Sequence, residues 1–468
     1  MFIRKVLAHY PHQALWQLLA VVRSNLPARA KRCSQILTKA ETDPNVQKIC
    51  DLRSIRDQVV LLTECMLKLC NSMPHKTIKT LSIRKDFSDL INLGNSCQLI
   101  IPIQSSLIPS FMSFNQHDIL YPLEKTSMGA RFLDEILVMS SLQRPKKITI
   151  LGSDGKYYPF LCKPKDDLRK DSRLMEFNAL INQALVDDPE SCQRALSIKT
   201  YAVVPLNEEC GLIQWVPNTI SMQHVTLSMY RESNNPISMS SLAALLNTKS
   251  KNPGQFFVEN VLKKYPPVLY KWFMKKFNSP EEWYASRINF ACSAAVMSII
   301  GYVIGLGDRH CENILLNEKT GQVVHVDFNC LFEKGLTLEV PELVPFRLTH
   351  NMEDAMGPTK FEGKFRKSCE ITMRLLRMHR EALMSILDSF VHDPLVEWST
   401  HKPKRGTISS TVNSKDLAGV ALLAIRYKLA GVFNNAHLSV TGHVDELIKE
   451  ATNPAKLCKM YIGWAPFL

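Results

Sequence analysis

Two stretches decide the fold of this chain: GLGDRHCENILL at residues 305–316 and HVDFNCLF at residues 325–332. The first contains an Asp-Arg-His-x-x-Asn sequence that begins at Asp308 and ends at Asn313, and the second contains Asp327 directly after a short apolar run. Carboxylate and amide oxygens are hard ligands suited to Mg²⁺, and a carboxylate can also accept or orient the proton of an attacking hydroxyl. This order of residues therefore matches the requirements of phosphoryl transfer. Asp308 would accept or orient the proton of the attacking hydroxyl, and Asn313 and Asp327 would bind the metal ion.

A lysine at the end of a predicted hairpin supplies the cation that this chemistry needs. KITIL at 147–151, the turn Gly-Ser-Asp-Gly at 152–155 and KYYPFLCK at 156–163 predict two antiparallel strands joined by a tight turn. Lys163 ends the second strand and could hold phosphate groups. Asp171 lies early in the following predicted helix, where it could pair with Lys163. The spacing G-x-x-x-x-G-K-[ST] of a glycine-rich phosphate loop is absent from this segment.

Each of these residues has an ordinary structural explanation when it is taken alone. A lysine at a strand end is usually solvated, an Asp-Arg-His loop often forms a structural salt bridge, and an aspartate before Phe328 can cap a turn. The ordered combination is far more specific than any one member, and it favours the catalytic interpretation.

A long apolar stretch directly precedes the Asp-Arg-His loop. Residues 288–307 contain no charged side chain and are long enough to span a bilayer. The alternative is a helix buried on all sides of a large domain. The polar residues that follow it resemble a chemical site and not a loop at a membrane surface, so the sequence favours the buried helix.

Length and composition are typical of a folded protein with more than one domain. The chain has 468 residues, of which 46% are hydrophobic and 22% charged, and domains average roughly 150 residues. Its formal net charge of +13 favours association with polyanions, although a solvated basic surface explains it equally well. The 13 cysteines include no C-x-x-C pair, which excludes a zinc knuckle or a secreted disulfide framework and indicates a reducing compartment.

The quoted segments resemble the phosphatidylinositol 3-kinase-related protein kinases. Residues 305–316 and 325–332 resemble the catalytic and activation segments of that family, and CKPKDDLRKD at 162–171 resembles its phosphate-lysine segment. YIGWAPFL at 461–468 resembles its FATC tail, and YPHQALWQLLAVVRS at 10–24 resembles the last part of its helical FAT domain. The resemblance covers nearly the whole chain.

The resemblance implies an α+β fold with the two lobes of a kinase. A β-sheet N-lobe and a mostly helical C-lobe would be preceded by the last helices of an α-solenoid FAT domain and ended by a helical FATC tail. The predicted boundaries are 1–75 for the FAT-like helices, 76–212 for the N-lobe, 213–435 for the C-lobe and 436–468 for the tail. The C-lobe would contain the catalytic loop, the activation loop and a flexible basic loop near 399–415.

The resemblance also assigns a role to each site residue, with ATP as substrate and Mg²⁺, or alternatively Mn²⁺, as metal. Asp308 and His310 would be catalytic, and Asn313 and Asp327 would ligate the metal. The residues that would bind ATP are Ser141 in the loop over the phosphates, Lys163 with Asp171 orienting it, the adenine-pocket walls Leu161, Tyr201, Ile213, Leu315 and Val326, and the hinge residues Trp215 and Val216.

Cys311 departs from the pattern of this family, because it stands where relatives usually carry glycine. The charged members of the loop are retained, so activity is expected to persist. Cys311 would make the site sensitive to thiol reagents if its surroundings lower its pKa.

Two other functions compete with a protein kinase. A lipid kinase shares this fold, but binding a phosphoinositide head group requires clustered Lys and Arg. Residues 328–350 hold Lys334 and Arg347 against three glutamates, which suits a peptide better. An inactive scaffold would lack one of the four central residues, and all four are present.

The resemblance implies a serine/threonine protein kinase of the DNA-damage and replication-stress checkpoints, acting in the nucleus. Its substrates would be proteins with Ser or Thr followed by Gln. Its partners would be an ATRIP-like obligate subunit, bound mostly outside this chain, and checkpoint activator proteins. Association with chromatin is expected to be indirect, and no membrane partner is expected.

Overall fold

The structure is a computed structural model that describes residues 3, 6–7, 10–24, 26–47, 51–94, 99–107, 129–246, 251–391 and 414–465. The chain forms two compact units. The first comprises Met1–Met175 and Thr200–Val216, and the second comprises Glu176–Lys199 and Pro217–Leu468. Most of the predicted basic loop, residues 399–413, lies outside the described residues, and residues 414–415 begin a helix.

The first unit combines an antiparallel sheet with a group of N-terminal helices. Its helices are Pro11–Val22, Pro27–Glu41, Pro44–Gln47, Leu52–Asn71, Ile83–Asp86, Asp89–Gly94 and Gln104–Leu107. Its strands are β1 (Thr80–Ser82), β2 (Gly129–Phe132), β3 (Glu135–Val138), β4 (Lys146–Gly152), β5 (Tyr157–Pro164), β6 (Val203–Pro205) and β7 (Cys210–Gln214). The strand order is β1-β3-β4-β5-β7-β6, and β2 pairs with β4. A helix at Arg169–Asp187 begins in the first unit and continues in the second.

The sheet follows from alternating burial along its central strands. β4 alternates buried and half-buried residues over its whole length, which is the period-2 pattern of a strand with one face on a core. The predicted hairpin is confirmed, since β4 pairs with β5 from Lys146↔Cys162 to Leu151↔Tyr157. β7 begins at Cys210, directly after a turn in which the Asn207 side chain accepts from the amides of Glu209 and Cys210.

The helix Leu52–Asn71 covers the sheet in the first unit. Its N-cap residue Asp51 accepts a hydrogen bond from the Ser54 amide at 3.2 Å, which satisfies one of the unpaired amides of the first turn. Apolar side chains recur along one face at helical spacing, from Ile55 through Val59 to Leu62, and are buried.

The second unit is mostly helical. Its α-helices are Pro189–Gln193, Met222–Glu232, Met239–Leu246, Pro253–Phe256, Leu269–Lys276, Pro280–Ile304, His350–Ala355, Lys364–Met378, Arg380–Val391, Ser414–Ala430, Val440–Ala451 and Pro454–Leu457. A π-helix spans Phe257–Leu262, and 3₁₀ turns span Lys334–Thr337 and Ile462–Trp464. The strands β8 (Thr219–Ser221), β9 (Ile314–Asn317) and β10 (Val323–His325) form a sheet in the order β10-β9-β8, and β11 (Val432–Phe433) pairs with β12 (Ala436–His437).

The charge-free stretch forms most of the helix Pro280–Ile304, which we call the core helix. Ser279 caps it by accepting from the Glu282 amide at 3.1 Å, and Pro280 occupies its first turn. The core helix is long and apolar enough to cross a membrane, but 83% of its most apolar window is buried inside the structure. It packs against the helix Lys364–Met378, so the structure buries it as the sequence predicted.

Candidate active site

The catalytic loop begins where the core helix ends. Gly305 adopts the left-handed conformation, with φ at +63°, which a residue without Cβ accepts at no steric cost. A side chain there would meet the Glu333 amide nitrogen at 2.5 Å. The amide of Gly307 then donates to the carbonyl of Cys330 at 2.7 Å. These contacts tie the start of the loop to the segment after Asp327.

Arg309 holds the two motif segments together from inside. Its side chain is 5% exposed. Nε donates to the Gly307 carbonyl at 2.9 Å, and the two terminal nitrogens donate to the carbonyls of Val326, at 2.8 Å, and Asp327. A planar guanidinium can reach several carbonyls from one position. Arg309 therefore fixes the separation between the catalytic loop and Asp327.

The two carboxylates of the site both lie on left-handed backbone. φ is +57° at Asp308 and +60° at Asp327, a region that residues with a side chain seldom occupy. Such conformations persist where the surrounding structure enforces them, and they concentrate at functional sites. The sequence motif contains no signal for this strain.

Asp308 presents its carboxylate outward from a fixed backbone. Its side chain is 45% exposed, while its amide donates to Oε1 of Glu342 at 2.7 Å and its carbonyl accepts from Nδ2 of Asn313 at 3.0 Å. Nε2 of His310 lies 4.0 Å from Oδ1 of Asp308. The structure thus brings together the two residues that the sequence assigned to catalysis.

Asn313 and Asp327 offer oxygen atoms of the kind that a hard divalent cation binds. Asn313 is 8% exposed. Its Nδ2 donates to the Asp308 carbonyl, so Oδ1 is the atom that would bind a metal ion. The Asn313 carbonyl accepts from the amide of Val326 at 3.1 Å, which ties the two candidate ligand segments together. Asn329 donates to Oδ1 of Asp327 at 2.8 Å. One amide and one carboxylate fit Mg²⁺, which commonly completes its shell with water and phosphate.

Two charged groups beside the catalytic loop correct one expectation about the activation segment. Glu342 and Arg347 were counted among the charges of residues 328–350 when a peptide substrate was favoured over a lipid. Arg347 is only 4% exposed, and Glu342 accepts a hydrogen bond from the Asp308 amide. Burial raises the pKa of the Glu342 carboxyl. Arg347 is thus buried, and Glu342 is half-buried and bonded to the catalytic loop, so that charge count does not describe a surface for substrate.

The expected reactivity of Cys311 is not supported. Its side chain is 1% exposed, and burial raises the pKa of the Cys311 thiol, although Arg347 opposes the shift. The condition for sensitivity to thiol reagents, a lowered pKa, is therefore not met.

In the first unit, Lys163 lies in β5 and pairs with a residue that sequence reasoning missed. Nζ of Lys163 lies 2.5 Å from Oδ2 of Asp166, and both side chains are largely buried. Asp171 occupies the first turn of its helix, as predicted, and is 2% exposed. Asp166 follows Lys163 by three residues and is held by a hydrogen bond from its amide to the Glu209 carbonyl. Its short spacing from the lysine was the available signal.

The predicted adenine-binding residues of the first unit lie on neighbouring strands. Leu161 on β5 pairs with Ile213 on β7, and Ile213 pairs with Val203 on β6, two residues after the buried Tyr201. Trp215 follows β7, and its backbone amide donates to the Pro159 carbonyl at 3.0 Å. Nζ of Lys147 lies 4.4 Å from the centroid of the Trp215 ring.

The remaining predicted ATP-binding residues lie in three other places. Val216 follows Trp215 and is 9% exposed. Ser141 lies in the loop between β3 and β4, where its carbonyl accepts from the Arg144 amide at 3.0 Å. In the second unit, Leu315 on β9 pairs with Val324 on β10, and Val326 follows that strand.

Family models match most of the chain. Residues 157–400 match the model described as phosphatidylinositol 3- and 4-kinase, and residues 437–468 match the FATC domain. Residues 1–56 match a model described as serine/threonine-protein kinase ATR-like, HEAT repeats. The assignment of the N-terminal helices to a FAT domain stays a prediction.

Curated relatives align with nearly the whole length of this chain. It is 46% identical to protein kinase rad3 of Schizosaccharomyces pombe over 99% of its length, which is 19% of that protein. It is 41% identical to serine/threonine-protein kinase ATR of Arabidopsis thaliana over 99% of its length, which is 17% of that protein. It is 36% identical to serine/threonine-protein kinase MEC1 of Candida glabrata over 98% of its length. The chain thus spans about a fifth of the length of the curated relatives that it matches.

Solved structures share the fold. The structure titled "FAT and kinase domain of CtTel1" matches 100% of this chain and 32% of that chain, with a TM-score of 0.82 and 30% identity. "Complete CtTel1 dimer with C2 symmetry" matches with a TM-score of 0.83. The expected α+β kinase fold with a FATC tail is confirmed, and kinases of this kind use ATP and a divalent metal ion. The chain belongs to the phosphatidylinositol 3- and 4-kinase family and carries a FATC domain, and it is similar over its length to protein kinase rad3 and to the serine/threonine-protein kinases ATR and MEC1.

Proposed function

We propose that this chain transfers the γ-phosphate of ATP to serine or threonine hydroxyls of proteins. The observation that carries the proposal is the loop that Arg309 assembles: Arg309 donates to the carbonyls of Val326 and Asp327, and Asn313 donates to the Asp308 carbonyl. The names of the full-length relatives support a protein substrate.

Each residue has a role that its environment allows. The half-exposed carboxylate of Asp308 orients the substrate hydroxyl and accepts its proton. His310, at the same loop surface, lies beside the transferring phosphate, where an imidazole can donate a hydrogen bond. Lys163 neutralises phosphate charge as a compact cation, Asp166 restrains it, and we propose that Asp171 orients it.

Asn313 and Asp327 would hold the divalent metal, Mg²⁺ or alternatively Mn²⁺. The bound ion offsets the negative charge that the phosphate oxygens carry in the transition state. The adenine ring would lie among Leu161, Tyr201, Ile213, Leu315 and Val326, with Ser141 at the phosphates and with Trp215 and Val216 along its edge.

The biological assignment rests on the ATR, rad3 and MEC1 relatives. We propose substrates with Ser or Thr followed by Gln, action in the nucleus in DNA-damage and replication-stress checkpoints, and dependence on an ATRIP-like subunit and activator proteins. The domain boundaries given above, with the FATC tail at 436–468, are part of this proposal.

A single experiment separates the candidate activities. The purified chain is incubated with Mg-ATP and peptide pairs that differ only in Gln or Ala after the serine, in parallel with phosphoinositide vesicles. Phosphate on the Gln peptide is expected, and Asp308→Asn is expected to lower kcat by roughly 10²–10⁴-fold. Labelling of the vesicles alone would assign the chain to the lipid kinases, and equal labelling of both peptides would refute the Gln preference.

A further inference from the structure

The second unit contains a basic cavity outside the candidate active site. Its volume is about 490 Å³, within the roughly 300–1,000 Å³ typical of small-molecule sites. It lies where the core helix meets the loop before the helix Lys364–Met378. Five cationic side chains line it, namely Arg194, Arg287, Lys360, Lys364 and Lys367.

The carboxylate in the lining does not neutralise these cations. Glu362 receives two hydrogen bonds from Arg366, from Nε to Oε2 at 2.7 Å and from the terminal nitrogen to Oε1 at 2.6 Å. The hydrogen-bonded guanidinium lowers the pKa of Glu362, so the carboxylate is ionised and already paired.

Three of the five cations have no acidic partner in the part of the chain that the structure describes. Lys367 lies 3.3 Å from Glu190, and Lys360 lies 3.9 Å from Glu353. Among the described residues, no carboxylate lies within 4 Å of Arg194, Arg287 or Lys364. Like charges that converge on a cavity repel one another, so this arrangement carries an electrostatic cost that a bound anion would offset.

Arg287 is held in place for such a ligand. Its guanidinium lies 4.5 Å from the ring centroid of Trp283, and it packs against Gly357, where an added Cβ would lie 2.3 Å from its terminal nitrogen. φ at Gly357 is +100°, so both the conformation and the close approach require glycine. A positioned guanidinium loses little conformational entropy when it binds phosphate.

The backbone adds positive potential from the same side. Lys364 begins a helix of 15 residues whose N-cap, Gly363, has no side chain to cap the first amides. The helix dipole favours an anion at this end, although the Arg366 amide already donates to the Phe361 carbonyl at 3.0 Å.

We propose that this cavity binds a small, multiply phosphorylated anion. Cations from three separate segments converge on one open cavity, whereas a nucleic acid duplex presents its phosphates along an extended line. A single phosphate could engage only part of the set, while several phosphate groups on one compact ligand could engage all of it. The ligand would brace the loop 356–363 against the core helix.

The proposal is tested by calorimetric titration of the whole chain with inorganic tripolyphosphate and, separately, with myo-inositol hexakisphosphate. Both titrations are run with a saturating non-hydrolysable ATP analogue, so that the nucleotide site is occupied. We expect binding that persists with the analogue present and weakens at least tenfold in the double variant Arg194→Gln, Lys364→Gln. Peptide phosphorylation in the absence of the anion should stay within twofold of the parent.

Two further variants make the result interpretable. Lys360→Gln with Lys364→Gln changes only exposed side chains, so it tests the site even if the Arg194 variant is unstable. Lys251→Gln, at another exposed lysine of the same unit, should leave binding within twofold. Stronger binding of one probe than the other shows whether the cavity favours a linear polyphosphate or phosphate groups arranged on an inositol ring. Failure of both probes to bind at millimolar concentration, or binding that the analogue abolishes and the variants do not change, would overturn the proposal.

Discussion

The indole ring of Trp464 meets the imidazole ring of His310 edge to face, with ring centroids 6.3 Å apart. Arg347 lies between the tail and the catalytic loop, since its terminal nitrogen donates to the carbonyl of Ala465 at 3.2 Å and lies 3.9 Å from the Cys311 sulfur. Its guanidinium also lies 5.6 Å from the Trp464 ring. The last described residues of the chain are therefore part of the support of the catalytic loop.

Trp464→Ala is expected to lower kinase activity and the melting temperature of the second unit. The substitution removes the ring against His310 and Arg347. Trp464 is half-buried, so the loss is expected to be a part of the roughly 1.5–3 kcal/mol that full burial of a large apolar side chain contributes. Tyr461→Ala is the matched control, because Tyr461 lies in the same tail and is 56% exposed. If Trp464→Ala behaves like Tyr461→Ala in both assays, the tail is a docking element only.

Asp327→Ala is expected to abolish turnover at every Mg²⁺ concentration while the melting temperature stays close to that of the parent. The variant loses a carboxylate that offsets charge in the transition state, but the contact of Arg309 is to the backbone carbonyl of Asp327, which alanine retains. Activity is measured over a Mg²⁺ titration, with Asp89→Ala as a surface control, since its ion pair with Lys68 is exposed. Wild-type turnover at saturating Mg²⁺ would remove Asp327 from the metal site.

Lys163→Arg is expected to lower activity steeply even though the charge is retained. The wider guanidinium cannot occupy the compact site that Nζ shares with Asp166 at 2.5 Å. Lys165→Gln, two residues away and exposed, should remain active. The reverse result, an active arginine variant and an inactive Lys165 variant, would make Lys165 the phosphate ligand.

Acidification from pH 6.5 to 4 is expected to lower the free energy of unfolding through His443. Burial, with help from Arg377 and Lys428, lowers the pKa of this ring from 6.5 to about 4. The unfolded chain therefore binds a proton in this window that the folded chain does not, and the full effect is roughly 3 kcal/mol. Nδ1 accepts a hydrogen bond from Arg377 at 2.6 Å, which requires an unprotonated Nδ1 and hence a neutral ring. Nε2 lies 2.9 Å from the Tyr302 hydroxyl.

The measurement is denaturant unfolding at several pH values for the parent and for His443→Gln. The variant is expected to be less stable at pH 7, with a shallower loss of stability between pH 6.5 and 4. Parallel curves for the two proteins would show that His443 does not titrate in this range.

Local pattern was enough to predict the elements of the fold. The hairpin of β4 and β5, the core helix and the tail helix Val440–Ala451 all follow from spacing. In the tail helix, Val444, Leu447, Ile448 and Ala451 recur at spacings of three and four and are all buried. Period-2 and period-3.6 patterns report which face of an element is apolar, so they can be read without knowing the neighbouring element.

The sequence by itself determined the order of the chemical groups, namely a lysine at a strand end, an Asp-Arg-His-x-x-Asn loop and an aspartate after a strand. Only the tertiary structure decided their partners. Asp166 beside Lys163, Glu342 under Asp308, Trp464 against His310 and the converging cations of the basic cavity come from packing between chain segments that are mostly far apart. The physical reason is that spacing along the chain encodes the local face of an element, whereas an ion pair or ring contact forms only when the packing of whole elements brings two side chains within a few ångströms.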